Sequence, residues 1–172
     1  MVRSPVKRVT RKKALTAPMW GGLRAEDLVV VDSAPLIYLL DDHPEFGPMF
    51  EGVFELHAQG MIRIAISTLA MAEVLGGPLK HGQDVLARRY EKALAGFEVV
   101  PVSQEIAVTA ARIRAACGLR LPDALQAATA LEVGAVALVT HERDFSRLPD
   151  LRVILGEVGH VANVADNGRP EP

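Results

Sequence analysis

The chain has 172 residues, 49% of them hydrophobic and 23% charged, with a net charge of −2. This length and composition indicate one globular domain with a substantial buried core. The sequence has no apolar segment long enough to cross a bilayer and no secretory signal, and its single cysteine, Cys117, excludes an internal disulfide. We therefore expect a cytoplasmic protein that does not interact with membranes.

The first segment, residues 1–27, is predicted to be a basic and flexible extension. Six of the 19 lysines and arginines lie in residues 1–13, which contain no acid, so residues 14–172 carry 13 basic against 21 acidic side chains. An acidic body does not favour nucleic-acid binding by phosphate attraction alone. It suits an enzyme that gathers carboxylates around a divalent cation. The extension has two open interpretations, a segment that helps to hold RNA and a segment with no role.

From residue 28 the sequence alternates between strand and helix patterns. Short β-branched runs indicate buried strands, and apolar residues at helical spacing between capping residues indicate helices. The predicted strands are 28–31, 63–66, 97–102, 135–139 and 151–155. The predicted helices are 34–40, 49–58, 69–75, 79–95, 103–117 and 122–133, with the third ending at Gly76-Gly77-Pro78.

This alternation predicts a parallel sheet covered on both faces within a domain spanning residues 28–157, followed by a polar tail over residues 158–172. Ligands of such sheets bind at the carboxyl ends of the strands. The functional site is therefore expected at the carboxyl edge of the sheet.

Four acidic residues are placed where this edge should be. Asp32 directly follows the first strand, and Asp144 follows the fourth by a few residues. Asp123 lies in the first turn of the helix that Pro122 opens, and Glu73 lies in a stretch that is otherwise nearly all apolar. Three of them also have a plainer interpretation: Asp32 as a helix cap, Asp123 as a partner of the helix dipole, and Asp144 as a solvated loop residue.

The apolar neighbours of Glu73 and Asp123 suggest that these carboxylates are buried. A buried carboxylate is costly unless it is protonated, paired or bound to a metal ion. One shared divalent cation would satisfy all four acids, and oxygen ligands favour Mg²⁺ or Mn²⁺ over zinc. The sequence therefore predicts a Mg²⁺ or Mn²⁺ site formed by Asp32, Glu73, Asp123 and Asp144.

Four short motifs, in this order and in these structural contexts, resemble the PIN-domain family, and within it the VapC-type toxins of toxin–antitoxin pairs. With the strand pattern at 151–154, the resemblance covers about residues 28–155. The motifs are Val-Val-Val-Asp-Ser-Ala at 29–34, Ser-Thr-Leu-Ala-Met-Ala-Glu-Val at 67–74, Leu-Pro-Asp-Ala-Leu-Gln-Ala-Ala at 121–128, and the segment 138–145.

The resemblance implies a three-layer α/β/α sandwich with a mostly parallel central sheet, and a Mg²⁺-dependent endoribonuclease in which water attacks an RNA phosphodiester. Asp32, Glu73, Asp123 and Asp144 match the family's acidic residues, which are catalytic and bind the metal. Supporting roles fall to Thr140, Ser33 and Glu142. One departure is His141-Glu142, where relatives commonly have Asn or Asp after the threonine, so the fourth ligand is shared or shifted between Glu142 and Asp144.

The resemblance also implies a cognate antitoxin protein as partner, a homodimer, and RNA as substrate. Two alternatives stay open: a housekeeping RNA-processing nuclease of the same fold, and a non-catalytic PIN-like binding module. A short antitoxin reading frame immediately upstream would favour the toxin. Four further residues have two interpretations each: His141 as proton carrier or structural residue, and Arg112, Arg114 and Arg120 as phosphate guides or surface charges.

Overall fold

The computed structural model describes residues 19–156 and 161–162. Its strands form a single sheet, and their bounds are β1 (Leu28–Val31), β2 (Arg63–Ser67), β3 (Glu98–Val100), β4 (Ala137–Thr140), β5 (Val153–Leu155) and β6 (Val161–Ala162). The strand order is β3-β2-β1-β4-β5-β6. Strands β1 to β5 are all parallel, and β6 pairs antiparallel with β5. The predicted, mostly parallel sheet is confirmed.

Six α-helices lie in the described part of the chain, together with two 3-10 turns at Trp20–Gly22 and Arg143–Arg147. The helices are α1 (Ser33–Leu40), α2 (Gly47–Ala58), α3 (Thr68–Lys80), α4 (Asp84–Leu94), α5 (Gln104–Cys117) and α6 (Leu121–Glu132). None of them, within residues 19–156, is long and apolar enough to cross a membrane.

The sheet separates two hydrophobic cores, because successive side chains of a strand point to opposite faces. Val29 and Val31 pack with residues of α1 to α4, whereas Val30 packs with residues of α5 and α6. All three valines are 0% exposed, which corresponds to about 1.5–3 kcal/mol of burial free energy each. The continuous β-branched run of β1 thus serves both faces of a three-layer α/β/α sandwich.

The predicted helix end at Gly76-Gly77-Pro78 is wrong, because α3 continues through it to Lys80. Pro78 removes one backbone donor from the last turn of α3, but it is buried on the same stripe as Ala70 and Val74. The chain breaks at Gly82 instead, whose φ of +67° suits glycine. Helix α4 therefore begins at Asp84 rather than at residue 79.

The folded domain begins earlier than residue 28. Leu23 is 0% exposed, and the Trp20 ring packs so closely on Gly52 of α2 that a Cβ there would collide with it. Residues 19–27, assigned to the flexible extension, are thus part of the packed structure. Residues 1–18 lie outside the described residues, and the predicted polar tail contains the short strand β6.

Candidate active site

Two neighbouring strands end side by side at the carboxyl edge of the sheet. Strand β1 pairs with β4 in a register that sets Val31 beside Val139. The residues that follow in each strand, Asp32 and Thr140, therefore reach the same point. The Thr140 hydroxyl donates a hydrogen bond of 2.7 Å to Oδ2 of Asp32. The register of the sheet thus places the predicted supporting threonine against the predicted first acid.

Asp32 is a buried carboxylate surrounded by neutral hydrogen-bond donors. Asp32 is only 6% exposed, and its Oδ1 accepts a hydrogen bond from the backbone N–H of Ser33 at 2.7 Å. Burial raises the pKa of Asp32, and the hydrogen bonds from Thr140 and Ser33 oppose that rise. The carboxylates of Glu73 and Asp123 raise the pKa further. The site thus favours a cation beside Asp32, since its charged neighbours are themselves anionic.

Asp32 is the N-cap residue of α1, so the plainer interpretation of this residue as a helix cap holds as well. Its side chain accepts from the N–H of Ser33, the first helical residue, whereas a capping side chain more often accepts from the second or third helical N–H. Ser33 also places its hydroxyl 3.5 Å from the same oxygen. Both polar atoms of Ser33 therefore face the buried carboxylate, at the position where the sequence predicted a supporting residue.

Glu73 is exposed, and the expectation that its carboxylate is buried is wrong. The buried stripe of α3 contains Ala70 and Val74, and Glu73 lies just beside that stripe. Its charge nevertheless acts on the pKa of Asp32, so its carboxylate is within electrostatic reach of the strand ends. Glu73 is a carboxylate at the opening of the site rather than beneath it.

Asp123 lies in the first turn of α6 and is mostly buried, with 14% of its side chain exposed. Its Oδ2 accepts a hydrogen bond of 2.9 Å from Nε of Arg120. Arg120, with 75% of its side chain exposed, therefore partners this acid. Arg120 is thus an exposed cation that pairs with Asp123, and its role as a phosphate guide stays a prediction.

Glu142 and Asp144 are both exposed and lie at the start of the 3-10 turn after β4. The backbone N–H of Glu142 donates to the Thr140 hydroxyl at 3.1 Å, which ties this turn to Asp32. Both carboxylates raise the pKa of Arg120, after the larger effect of Asp123. Arg120 therefore lies within the electrostatic influence of all three acids.

These acids surround the strand ends, and we call them the acidic rim. Its members are Asp32, Glu73, Asp123, Glu142 and Asp144. Within residues 19–156, no three His, Cys, Asp or Glu side chains converge on one point as a ready-made metal site. The rim nevertheless consists of carboxylate oxygens around a buried acid whose charged neighbours, Glu73 and Asp123, are anionic, and this is the donor chemistry that a hard divalent ion prefers. The residues fit such an ion by donor type, although the structure holds them in no preformed metal geometry within residues 19–156.

Sequence reasoning missed a buried polar pair beneath the rim. The Ser67 hydroxyl at the end of β2 donates to Oε1 of Gln126 at 2.7 Å, and Gln126 is 1% exposed on α6. Nε2 of Gln126 has no hydrogen-bond partner among the described residues. This pair links the strand before Glu73 to the helix that contains Asp123. An available signal was the single amide within the alanine-rich run 124–130.

His141 has a defined partner at the edge of the site. Its Nδ1 and the hydroxyl of Tyr38 are 2.9 Å apart, and the two rings meet edge to face at 5.5 Å. This hydrogen bond supports the interpretation of His141 as a structural residue. Burial raises the pKa of Tyr38, and the nearby carboxylates of Glu142 and Asp32 add to that rise.

Comparison with known families and structures finds proteins of the same fold. The family model of the PIN domain matches residues 29–151. A toxin–antitoxin complex from Klebsiella pneumoniae is 30% identical, with a TM-score of 0.60, over 76% of this chain and 99% of that chain. No curated protein matches the sequence closely enough to count as a relative.

Two further solved structures share the fold. VapBC2 from Rickettsia felis, bound to a DNA fragment from its promoter, has a TM-score of 0.63 at 22% identity, over 74% of this chain and 98% of that chain. Mycobacterium tuberculosis VapC20, a sarcin–ricin loop cleaving toxin, has a TM-score of 0.57 at 14% identity, over 69% and 92% of the two chains. At these identities the likeness concerns the fold alone.

Proposed function

The chain belongs to the PIN domain family, and we propose that it is a divalent-metal-dependent endoribonuclease that acts as the toxin of a toxin–antitoxin pair. The observation that carries this proposal is the buried Asp32, which is held by Thr140 at 2.7 Å and has other carboxylates as its charged neighbours. The stability of the fold does not explain such a group, because a buried charge without a counter-charge is costly.

The ion, Mg²⁺ or Mn²⁺, would be held by Asp32, Glu73 and Asp123 with Asp144 or Glu142 as the fourth acid. Such an ion lowers the pKa of a water molecule and stabilises charge on a phosphoryl group. Thr140 and Ser33 orient Asp32 through their hydrogen bonds. The exposed guanidinium of Arg120, already at the rim, can donate to an RNA phosphate oxygen.

RNA cleavage with purified protein tests this function. We expect cleavage of a structured RNA in Mg²⁺, no cleavage in EDTA, and a loss of at least about 100-fold in Asp32→Asn and Asp123→Asn, the order seen when a transition-state-stabilising group is removed. Glu98→Gln is the matched control, because Glu98 is an exposed acid on the edge strand β3 and is paired with Arg63 instead of with the residues around Asp32. Cleavage that persists in EDTA or in Asp32→Asn rules out the mechanism.

The toxin assignment is supported by the toxin–antitoxin complex that shares 30% identity over 76% of the chain. We propose an antitoxin partner on the same basis. We propose a homodimer from the family resemblance, and a cytoplasmic location from the composition of the sequence. A housekeeping nuclease would show the same cleavage but no toxicity. Induced expression should stop growth, and co-expression of the reading frame immediately upstream should restore it. Growth unaffected by an active enzyme would contradict the toxin role.

A further inference from the structure

Five rings from three separate segments meet beside the acidic rim, and we call them the ring cluster. They are Tyr38, His43, Phe46, Phe50 and His141. His43 stacks on Phe46 with centroids 4.8 Å apart and planes 21° apart, and His141 lies 4.8 Å from Phe46. Phe50 is buried, whereas the other four rings are partly exposed. The cluster therefore has an apolar base and an accessible aromatic surface.

The ring cluster is connected directly to the candidate active site. Tyr38 contacts His141, the residue after Thr140, whose hydroxyl binds Asp32. Tyr38 also lies six residues after Asp32 along α1, which is about 9 Å at 1.5 Å per residue. That distance is less than three stacked-nucleotide rises of about 3.4 Å. A nucleotide close to the cleaved phosphate would therefore reach the rings.

A cavity of about 250 Å³ opens next to these rings, between α1 and α2. Tyr38 and His43 line one part of it, and the exposed carboxylates of Asp42 and Glu51 line another. Ionised carboxylates only accept hydrogen bonds. The cavity thus combines an aromatic wall with acceptors, and it suits a small planar ligand that presents donors along one edge.

The His43 ring is fixed in place before any ligand binds. Its Nδ1 faces the backbone N–H groups of Glu45 and Phe46, at 3.3 and 3.2 Å, as an acceptor. In the neutral ring the proton therefore resides on Nε2. A ring held in this way can stack on a ligand with little ordering cost.

We propose that this cavity binds one unstacked nucleobase of the RNA substrate, close to the cleaved phosphate. The proposal rests on the proposed function. Recognition of single-stranded RNA uses stacking on aromatic or histidine side chains together with hydrogen bonds to base edges. Asp42 and Glu51 accept from N–H donors, so the site favours guanine, whose Watson–Crick edge has adjacent donors, and disfavours uracil, which has no amino group.

Binding and cleavage are measured separately to test this. The probes are four fluorescein-labelled RNA tetranucleotides, UUNU, with each base in turn at N, and binding is measured by anisotropy on the full-length Asp32→Asn protein. We expect the guanine probe to bind about tenfold more tightly than the uracil probe, the order of effect that one hydrogen bond to a charged acceptor provides. His43→Asn, which removes the ring but keeps an acceptor for the N–H groups, should abolish this preference.

One further variant tests a carboxylate that lines the cavity, and a second variant serves as its control. Glu51→Gln should reduce the guanine preference several-fold, because an exposed carboxylate is replaced by an amide of the same shape. His81→Asn is the matched control, since His81 is an exposed histidine bonded to a backbone carbonyl at the end of α3. It should bind all four probes like the parent protein.

The outcomes separate this inference from the proposed function. Equal binding of the four probes, or an unchanged preference in His43→Asn, overturns the nucleobase site even if the wild type cleaves RNA. Variants that lose affinity for the antitoxin while RNA binding is intact overturn it as well, and assign the cavity to the protein partner. A guanine preference that His43→Asn removes supports the site even if the wild-type protein cleaves nothing.

Discussion

Two carboxylates of the central sheet lie in opposite surroundings. Glu98, the first residue of the edge strand β3, accepts two hydrogen bonds from Arg63 of β2, at 2.6 and 2.7 Å, and this contact lowers the pKa of Glu98. At the end of the central strand β1, burial and neighbouring acids raise the pKa of Asp32. Glu98 is thus exposed and paired with a cation, whereas Asp32 is buried among like charges. The difference separates a carboxylate that stabilises the fold from one that the proposed function requires.

The largest expected effect that sharpens this contrast is the response to a divalent ion. An ion at 100 times its Kd stabilises the folded state by about 2.7 kcal/mol, which is roughly 5–10 °C in Tm for a domain of this size. We expect this rise with Mn²⁺ for the wild type and for Glu98→Gln, measured by scanning calorimetry. A similar rise in Asp32→Asn would show that the ion binds elsewhere.

The next effect concerns the threonine that supports Asp32. Thr140→Val leaves the buried carboxylate without its hydroxyl donor and should destabilise the protein by about 1–3 kcal/mol, measured by urea unfolding at pH 7. Thr140→Ser keeps the hydroxyl and is the control, with only the loss of one methyl group. Equal stability of the valine variant and the wild type would mean that the 2.7 Å contact contributes nothing.

A smaller effect of opposite sign is expected when the charge of Asp32 is removed. The folded-state pKa of Asp32 is raised above its ordinary value of 3.8. At pH values between 3.8 and the folded-state pKa, the folded protein therefore binds more protons than the unfolded one. Stability due to this group therefore falls as the pH rises through that window and stays low above it. Asp32→Asn should stabilise the metal-free protein at pH 7 by about 0.5–2 kcal/mol, the usual range for relieving a functional site.

The smallest effect belongs to Glu98, where the sign is reversed. Its folded-state pKa is lowered, so its contribution to stability is present above its unfolded value of 4.5 and is lost as the pH falls through the folded value. Glu98→Gln should lower Tm slightly at pH 7, and high salt should remove the difference, because the pair is exposed. A Tm difference that persists in 1 M NaCl would contradict a solvent-screened pair.

The position of Asp32 at the end of β1 was predictable from the residues alone, whereas Thr140 was named only through the family resemblance. A β-branched run ending in an acid leaves one place for the side chain, and parallel pairing sets Asp32 next to the end of β4. The side-chain direction of Glu73 was not predictable in the same way. Residues 69–75 are apolar on nearly all sides, so periodicity alone does not tell which face of the helix is buried.

The ring cluster could not be predicted from the sequence, for a different reason. An aromatic content of 5% argues against many stacking rings, but composition does not report how a fold collects the rings that exist. Tyr38 and His141 are 103 positions apart and meet only because β1 and β4 are neighbours. Gln126, in contrast, was detectable as a polar residue within a buried alanine-rich helix.

The acidic rim is tested most directly by anomalous diffraction from crystals soaked in Mn²⁺. The account predicts a manganese peak at the carboxyl end of β1, bound by an oxygen of Asp32 and by Glu73 or Asp123, and no peak at Glu98. A protein that cleaves RNA in Mn²⁺ but binds no manganese at Asp32 would contradict it.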